Sequence, residues 1–219
     1  MRTTLIAITA LVTLAPPARA EEPAWAEPMK AVHAKFTGKP GTLALFGDSI
    51  TETKAFWAPL SYDPKNLPDP ITKNLELVKK RMLSECWSKW RGGDYGNQSG
   101  QVTQWAEERV EGWLKKLNPE VAVVMFGTND LNRVEAKDYE TQTRSLVEKC
   151  LKNGTVVILT TIPPRAGMEK KAAAFADIQR KIATDLKVPL VDYHAEILKL
   201  RPDDWNGALP QFKEDAAKD

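Results

Sequence analysis

The stretch Leu43-Ala44-Leu45-Phe46-Gly47-Asp48-Ser49-Ile50-Thr51 constrains this chain more than any other. Four consecutive apolar residues between Gly41 and Gly47 read as a short strand buried on both faces. Strands of that kind belong to parallel sheets covered by helices. The strand stops at Gly47, and a polar serine follows at the turn. In an α/β sheet, ligands bind just beyond the carboxyl ends of the strands. A hydroxyl displayed there is a candidate nucleophile, provided a base and donors for an anion stand near it. The same residues also suit a plain structural role, with Asp48 and Ser49 capping the next helix.

The rest of the chain alternates in the same manner. Further apolar strands are predicted at Val121 to Phe126, Thr155 to Thr160 and Val188 to Val191. Between them the period is helical. Leu75, Val78, Met82, Cys86 and Trp90 share one face of a helix running from Asn74 to the Arg91-Gly92-Gly93-Asp94 stop. Val102, Trp105, Ala106, Val110, Trp113 and Leu117 mark a second helix, ended by Asn118-Pro119. Tyr139, Thr143, Leu146, Val147 and Cys150 mark a third, and Phe175, Ile178, Ile182 and Leu186 a fourth. Tyr95 to Gly100 is turn-rich, with room for a vestigial strand. The connection from Glu52 to Thr72 holds Pro59, Pro64, Pro68 and Pro70, which exclude a continuous helix. Strands alternating with helices of about 15 residues give right-handed crossovers, hence one α/β domain of three layers with a parallel sheet.

The first 20 residues stand outside that pattern. Arg2, the apolar run Leu5 to Leu14 and the small-x-small site Ala18-Arg19-Ala20 read as a secretory signal peptide, residues 1–20. The mature chain is expected to be secreted or periplasmic, with no stable membrane insertion after cleavage. Residues 21–40 form a lead-in, helical around Met29 to Phe36, and 41–219 the domain. The signal carries Arg2 and Arg19 and no acid, so residues 21–219 hold 29 basic and 29 acidic side chains. Such neutrality offers no electrostatic reason for nucleic acid as a partner. Cys86 and Cys150 sit at apolar helical positions and are expected as buried thiols. No Cys/His spacing suggests a metal, and the glycines fit neither a P-loop nor a dinucleotide fingerprint, so no cofactor is expected.

Three polar turns should meet at the carboxyl edge of the sheet: Gly47-Asp48-Ser49-Ile50, Ser99-Gly100, and Gly127-Thr128-Asn129-Asp130. Acyl transfer needs a nucleophile and donors aimed at the oxygen that becomes negative. Ser49 supplies a hydroxyl and its own N–H. Gly100 stands just before a helix, its N–H free and no side chain in the way. Asn129 offers an uncharged amide. With these blocks in this order the chain resembles an SGNH hydrolase, the family also called GDSL esterases and lipases, with Ile50 in place of the usual Leu. The resemblance runs from about Thr42 to Val191 and implies a flavodoxin-like sheet, Ser49 as nucleophile, and Gly100 and Asn129 in the oxyanion hole. Gly96 is a rival for the glycine.

One block of the family is missing. Its general base is a histidine in an Asp-x-x-His pair after the last strand, and no Asp-x-x-His occurs in this sequence. Asp192-Tyr193-His194 is one residue too short, and Asp192 suits a helix cap better. The expectation is a domain truncated before that block, ending in the polar run Glu214 to Asp219 and lacking the last helix that covers one sheet face. The resemblance implies a serine ester hydrolase working through an acyl-enzyme. The Pro-stiffened connection carries Trp57 and Tyr62, whose faces suit packing against sugar rings, and export suits a polysaccharide, so the reading favours short acyl groups, acetyl above all, on a carbohydrate. The alternatives are a non-catalytic carbohydrate-binding relative and a lysophospholipase- or lipase-type esterase.

Overall fold

A computed structural model describes residues 22–62 and 64–202. The signal-peptide reading and the polar run from Glu214 lie outside the described residues. In chain order the elements are α1 Ala26–His33, β1 Leu43–Gly47, α2 Ser49–Thr53, a 3-10 turn Ala58–Ser61, α3 Asp69–Arg81, α4 Glu85–Ser88, α5 Thr103–Leu117, β2 Val121–Met125, α6 Ala136–Lys152, β3 Val156–Thr160, α7 Glu169–Leu186, β4 Leu190–Val191 and α8 Tyr193–Leu200. All four strands are parallel, in the order β1-β2-β3-β4. Each step between neighbours is a helical crossover, which is how a parallel sheet must be connected. Beyond β1, Asn97 makes a parallel bridge to Gly47, so the vestigial strand of the Tyr95 to Gly100 stretch is a single residue.

The core lies on one face of the sheet. Ala44 and Phe46, Ala122 and Val124, and Val157 and Leu159 alternate toward α5, α6 and α7, meeting Val110, Trp113, Leu146, Val147, Cys150 and Ile182. Tyr139 stacks on Phe175 at 4.1 Å between α6 and α7 and extends this layer toward the carboxyl edge. Caps end the helices where the sequence places turn residues. Asn118 leaves α5 in the left-handed region at φ +37°, donating to the Leu114 carbonyl, and Gly154, φ +87°, follows α6.

The opposite face is covered less. There α1 rests against β3 beside Val156. At the carboxyl end α2 and the 3-10 turn flank an open apolar groove of about 400 Å³ on the sheet, floored by Leu45, Val123, Met125, Ile158 and Thr160. The connection after α2 is broken as its prolines require, and Trp57 is pinned within it by stacking on Trp87 at 5.0 Å.

One helix differs from the expectation. The single helix predicted over Asn74 to Trp90 is two, α3 and α4, broken where Met82 turns extended at ψ 137°. The cause is tertiary. Leu83 N–H donates to the Gly41 carbonyl and the Cys86 thiol accepts from Leu43 N–H, which draws the chain to the start of β1. No residue of α3 is buried, and Leu77 and Val78 face solvent. Both cysteines are free and buried, and burial pushes the Cys150 thiol up to about 12.

Candidate active site

β1 ends at Gly47, whose N–H donates to the Gly96 carbonyl and whose carbonyl accepts from Gln98 N–H. The backbone of the second block is thereby stitched to the strand that leads into the first. Asp48 is the N-cap of α2, its carboxylate accepting from Ile50 N–H at 3.2 Å. Ser49 is the first residue of that helix and is exposed. Its hydroxyl and its backbone N–H make no hydrogen bond among the described residues. The capping role and the display of a hydroxyl are thus both present, in adjacent residues.

Gly100 lies in the left-handed region at φ +77°, where a Cβ would meet nothing within 4 Å, and its N–H is also without a protein acceptor among the described residues. Its carbonyl accepts from Arg133 Nη1 at 3.0 Å. Gly96 is a different kind of glycine. Its N–H is bonded to Gly93, and a Cβ there would lie 2.2 Å from the Phe46 ring, so it is a packing residue against β1. Asn129 follows β2, and its amide nitrogen donates to Asp48 Oδ2 at 3.2 Å and to the Gln101 carbonyl at 3.0 Å. Those two bonds join the third block to both others. Ser49, Gly100 and Asn129 therefore lie on three loops tied together at the carboxyl edge of the sheet.

Beneath them are two buried carboxyls. Burial first, and the neighbouring Asp130 charge in addition, push the Asp48 carboxyl up to about 6, against the bond from Ile50. Asp130 is raised as well, chiefly by burial, and its Oδ1 accepts from Thr103 N–H at 2.9 Å, capping α5 from the turn after β2. Lys54 closes α2 at φ +55°, and burial lowers its amine to about 8. Among the described residues no cluster of three or more His, Cys, Asp or Glu could hold a metal ion, and no helix is long and apolar enough to cross a membrane.

Neither histidine stands beside Ser49. His33 bonds Glu120 at 2.8 Å, at the opposite, amino-terminal end of the sheet. His194 is buried beyond the far edge strand, its ring 3.3 Å from the Ile162 carbonyl. Asp192 is the N-cap of α8 and pairs with Arg180 at 2.7 Å, a structural use that holds its carboxyl below the usual range.

Sequence reasoning missed the residues that hold the loops. Asn97 is fully buried, and its amide donates to the Leu45, Trp90 and Tyr95 carbonyls while its oxygen accepts from Gly92 N–H. Glu52, Gln101 and Arg133 are the others. The one readable signal was compositional, a polar Asn among turn glycines.

Residues 45–212 match the GDSL-like Lipase/Acylhydrolase family, and the chain belongs to that family of ester-hydrolysing enzymes. Solved structures of the same fold include a catalytic mutant of an acetylxylan esterase from Geobacillus stearothermophilus, with 20% identity, 80% of this chain and 86% of that one covered, and TM-score 0.58. A second is a putative acylhydrolase from Bacteroides fragilis, with 21% identity, 90% and 88% covered, and TM-score 0.54. A third is an α/β hydrolase from the metagenome of Lake Arreo, Spain, with 18% identity, 81% and 90% covered, and TM-score 0.55. At these identities the likeness is one of fold. No protein of curated function matches the chain in sequence.

Proposed function

We propose that this protein is a secreted or periplasmic serine esterase that removes short acyl groups, acetyl in particular, from carbohydrate. The observation that carries this reading is that, among the described residues, the backbone N–H groups of Ser49 and Gly100 and the exposed Ser49 hydroxyl are all without hydrogen-bond partners. Ser49 attacks the ester carbonyl, and these N–H groups receive the oxygen that becomes negative. Asn129 joins them by giving up its bond to Asp48 or to Gln101. The proton lost by Ser49 is handed on to the departing alkoxide, which leaves as the alcohol, and water then clears the acyl-enzyme as the free acid. The proton acceptor of Ser49 is a group other than His33 and His194. Residues 1–20 as a signal peptide support export. Carbohydrate is supported by Tyr62 and Phe56, 75% and 47% exposed after α2, and by the acetylxylan esterase among the similar folds. Trp57 contributes less than its position in the sequence suggests, because Trp87 holds it.

A second reading, a lipase-type esterase, is favoured by the groove beneath α2. It is lined by Ile50 and Thr51, the residues that follow Ser49, and by the half-buried Trp57, whose shielded Nε1 has no hydrogen-bond partner among the described residues. Assay of the full-length protein on acetyl esters tests the main reading. Ser49→Ala is expected to abolish hydrolysis with the fold intact, and Asn129→Ala to lower turnover by about 10²–10³. Full activity in Ser49→Ala would overturn the mechanism.

A further inference from the structure

Glu52 lies one turn beyond Ser49 on α2, and its carboxylate reaches across to the second block. Glu52 Oε2 accepts from Ser99 N–H at 2.7 Å and from the Ser99 hydroxyl as well. Ser99 immediately precedes Gly100, so the peptide plane that carries the Gly100 N–H begins at the residue Glu52 grips. Holding a residue by its N–H and its side chain together fixes its own conformation, and with it the direction of the next peptide plane. The loop has other attachments. Gln98 N–H donates to the Gly47 carbonyl at 3.1 Å, and Arg133 holds the Gly100 carbonyl. Among these contacts, Glu52 is the one that comes from the helix bearing Ser49.

We infer that Glu52 is a positioning residue for ester hydrolysis: through Ser99 it sets the Gly100 N–H in register with Ser49. The inference rests on the reading of Ser49 and Gly100 given above. An ionised acceptor makes a stronger bond than a neutral one, and the Ser99 bonds keep the Glu52 carboxyl below its usual range. The contact lies near the surface, where such bonds contribute little to global stability. Its effect should therefore appear in turnover rather than in folding. An oxyanion donor acts in the transition state and hardly at all on the bound ester, so misplacing one lowers kcat and spares KM.

The test compares Glu52→Ala, Glu52→Gln, Ser99→Ala and the double variant Glu52→Ala/Ser99→Ala with the wild type, with Ser49→Ala alongside, on a short acyl ester in the full-length protein. Glu52→Ala is expected to lower kcat by about 10- to 100-fold, less than removal of a donor outright, with KM within about twofold. Glu52→Gln keeps an acceptor for Ser99 and should recover most of the loss. Ser99→Ala keeps its N–H and should lose less, and the double variant should be no worse than Glu52→Ala, because both act through one contact. Should Glu52→Ala fail to fold, Glu52→Gln against Ser99→Ala carries the same comparison. An unchanged kcat in the Glu52 variants, a loss confined to KM, or additive losses in the double variant would overturn the inference while Ser49→Ala remains dead. An active Ser49→Ala would instead overturn the underlying reading of the site.

Discussion

Asp48 does two jobs with one carboxyl, capping α2 through Ile50 and accepting from Asn129. Both bonds suit the anion, yet burial beside Asp130 wins and raises the group to about 6. A carboxyl raised in the folded state binds its proton more tightly there than in the unfolded chain. Its contribution to stability is therefore complete below about pH 4 and is lost as pH rises through about 6. By the usual linkage the loss is at most about 3 kcal/mol. Asp130 acts in the same direction, whereas Asp192, held down by Arg180, loses stability only on acidification. Urea unfolding at pH 4.5 and 7.5 should therefore show the wild type losing stability with rising pH relative to Asp48→Asn. Parallel pH curves for the two proteins would remove the buried-charge account. That Ser49, Gly100 and Asn129 meet at one edge of the sheet was legible in the sequence because each sits in a short contiguous motif beside a turn. The partners of those residues were not, since Asn129 meets Asp48 and Gln101 only after chain segments 81 and 28 residues apart are folded together.

At the scale of elements, legibility followed the strength of local pattern. Helices α5, α6 and α7 carry the predicted apolar stripes; α5 and α6 stop at the turn residues Asn118 and Asn153-Gly154, whereas α7 stops at Lys187, which takes the left-handed conformation. The strands differ by a residue or two at their ends. The stretch from Asn74 to Trp90 carries a helical period too, but no residue of α3 is buried, and the bond from Leu83 to the Gly41 carbonyl breaks the helix. Periodicity alone cannot register that competition. The vestigial strand expected in Tyr95 to Gly100 is a bridge at Asn97 alone, and the Asn97 side chain supplies hydrogen bonds that a longer strand would have made. That amide satisfies the Leu45 carbonyl on the outer edge of β1 and the carbonyls of Trp90 and Tyr95 in the loop. Asn97→Ala should strand several buried backbone groups, and at about 1–3 kcal/mol each the variant is expected to lose about 3 kcal/mol or more. Thermal unfolding measures the loss. A variant as stable as the wild type would mean that water takes the place of the amide.

For the whole molecule the asymmetry of the two sheet faces matters most. One face carries three packed helices, while the other leaves the groove floored by Leu45, Val123, Met125, Ile158 and Thr160 open beside α2. The groove begins at Ile50, the residue next to Ser49, so it is the natural place for a long acyl chain if this enzyme uses one. The consequence is quantitative. Each methylene moved from water into an apolar groove contributes about 0.8 kcal/mol, about fourfold in kcat/KM. A lipase-type enzyme should thus climb steeply from acetyl to octanoyl esters, and filling the groove with Val123→Phe should cut that climb while leaving acetyl esters alone. The acetylesterase reading expects the reverse profile. The wild type should be fastest on acetyl esters, slower with each added carbon, and indifferent to Val123→Phe within about twofold, with unfolding checked in parallel because overpacking can cost about 1–3 kcal/mol. A chain-length series on both proteins separates the two outcomes, and a wild-type rate that rises with chain length and collapses in Val123→Phe would replace the carbohydrate reading with a lipid one.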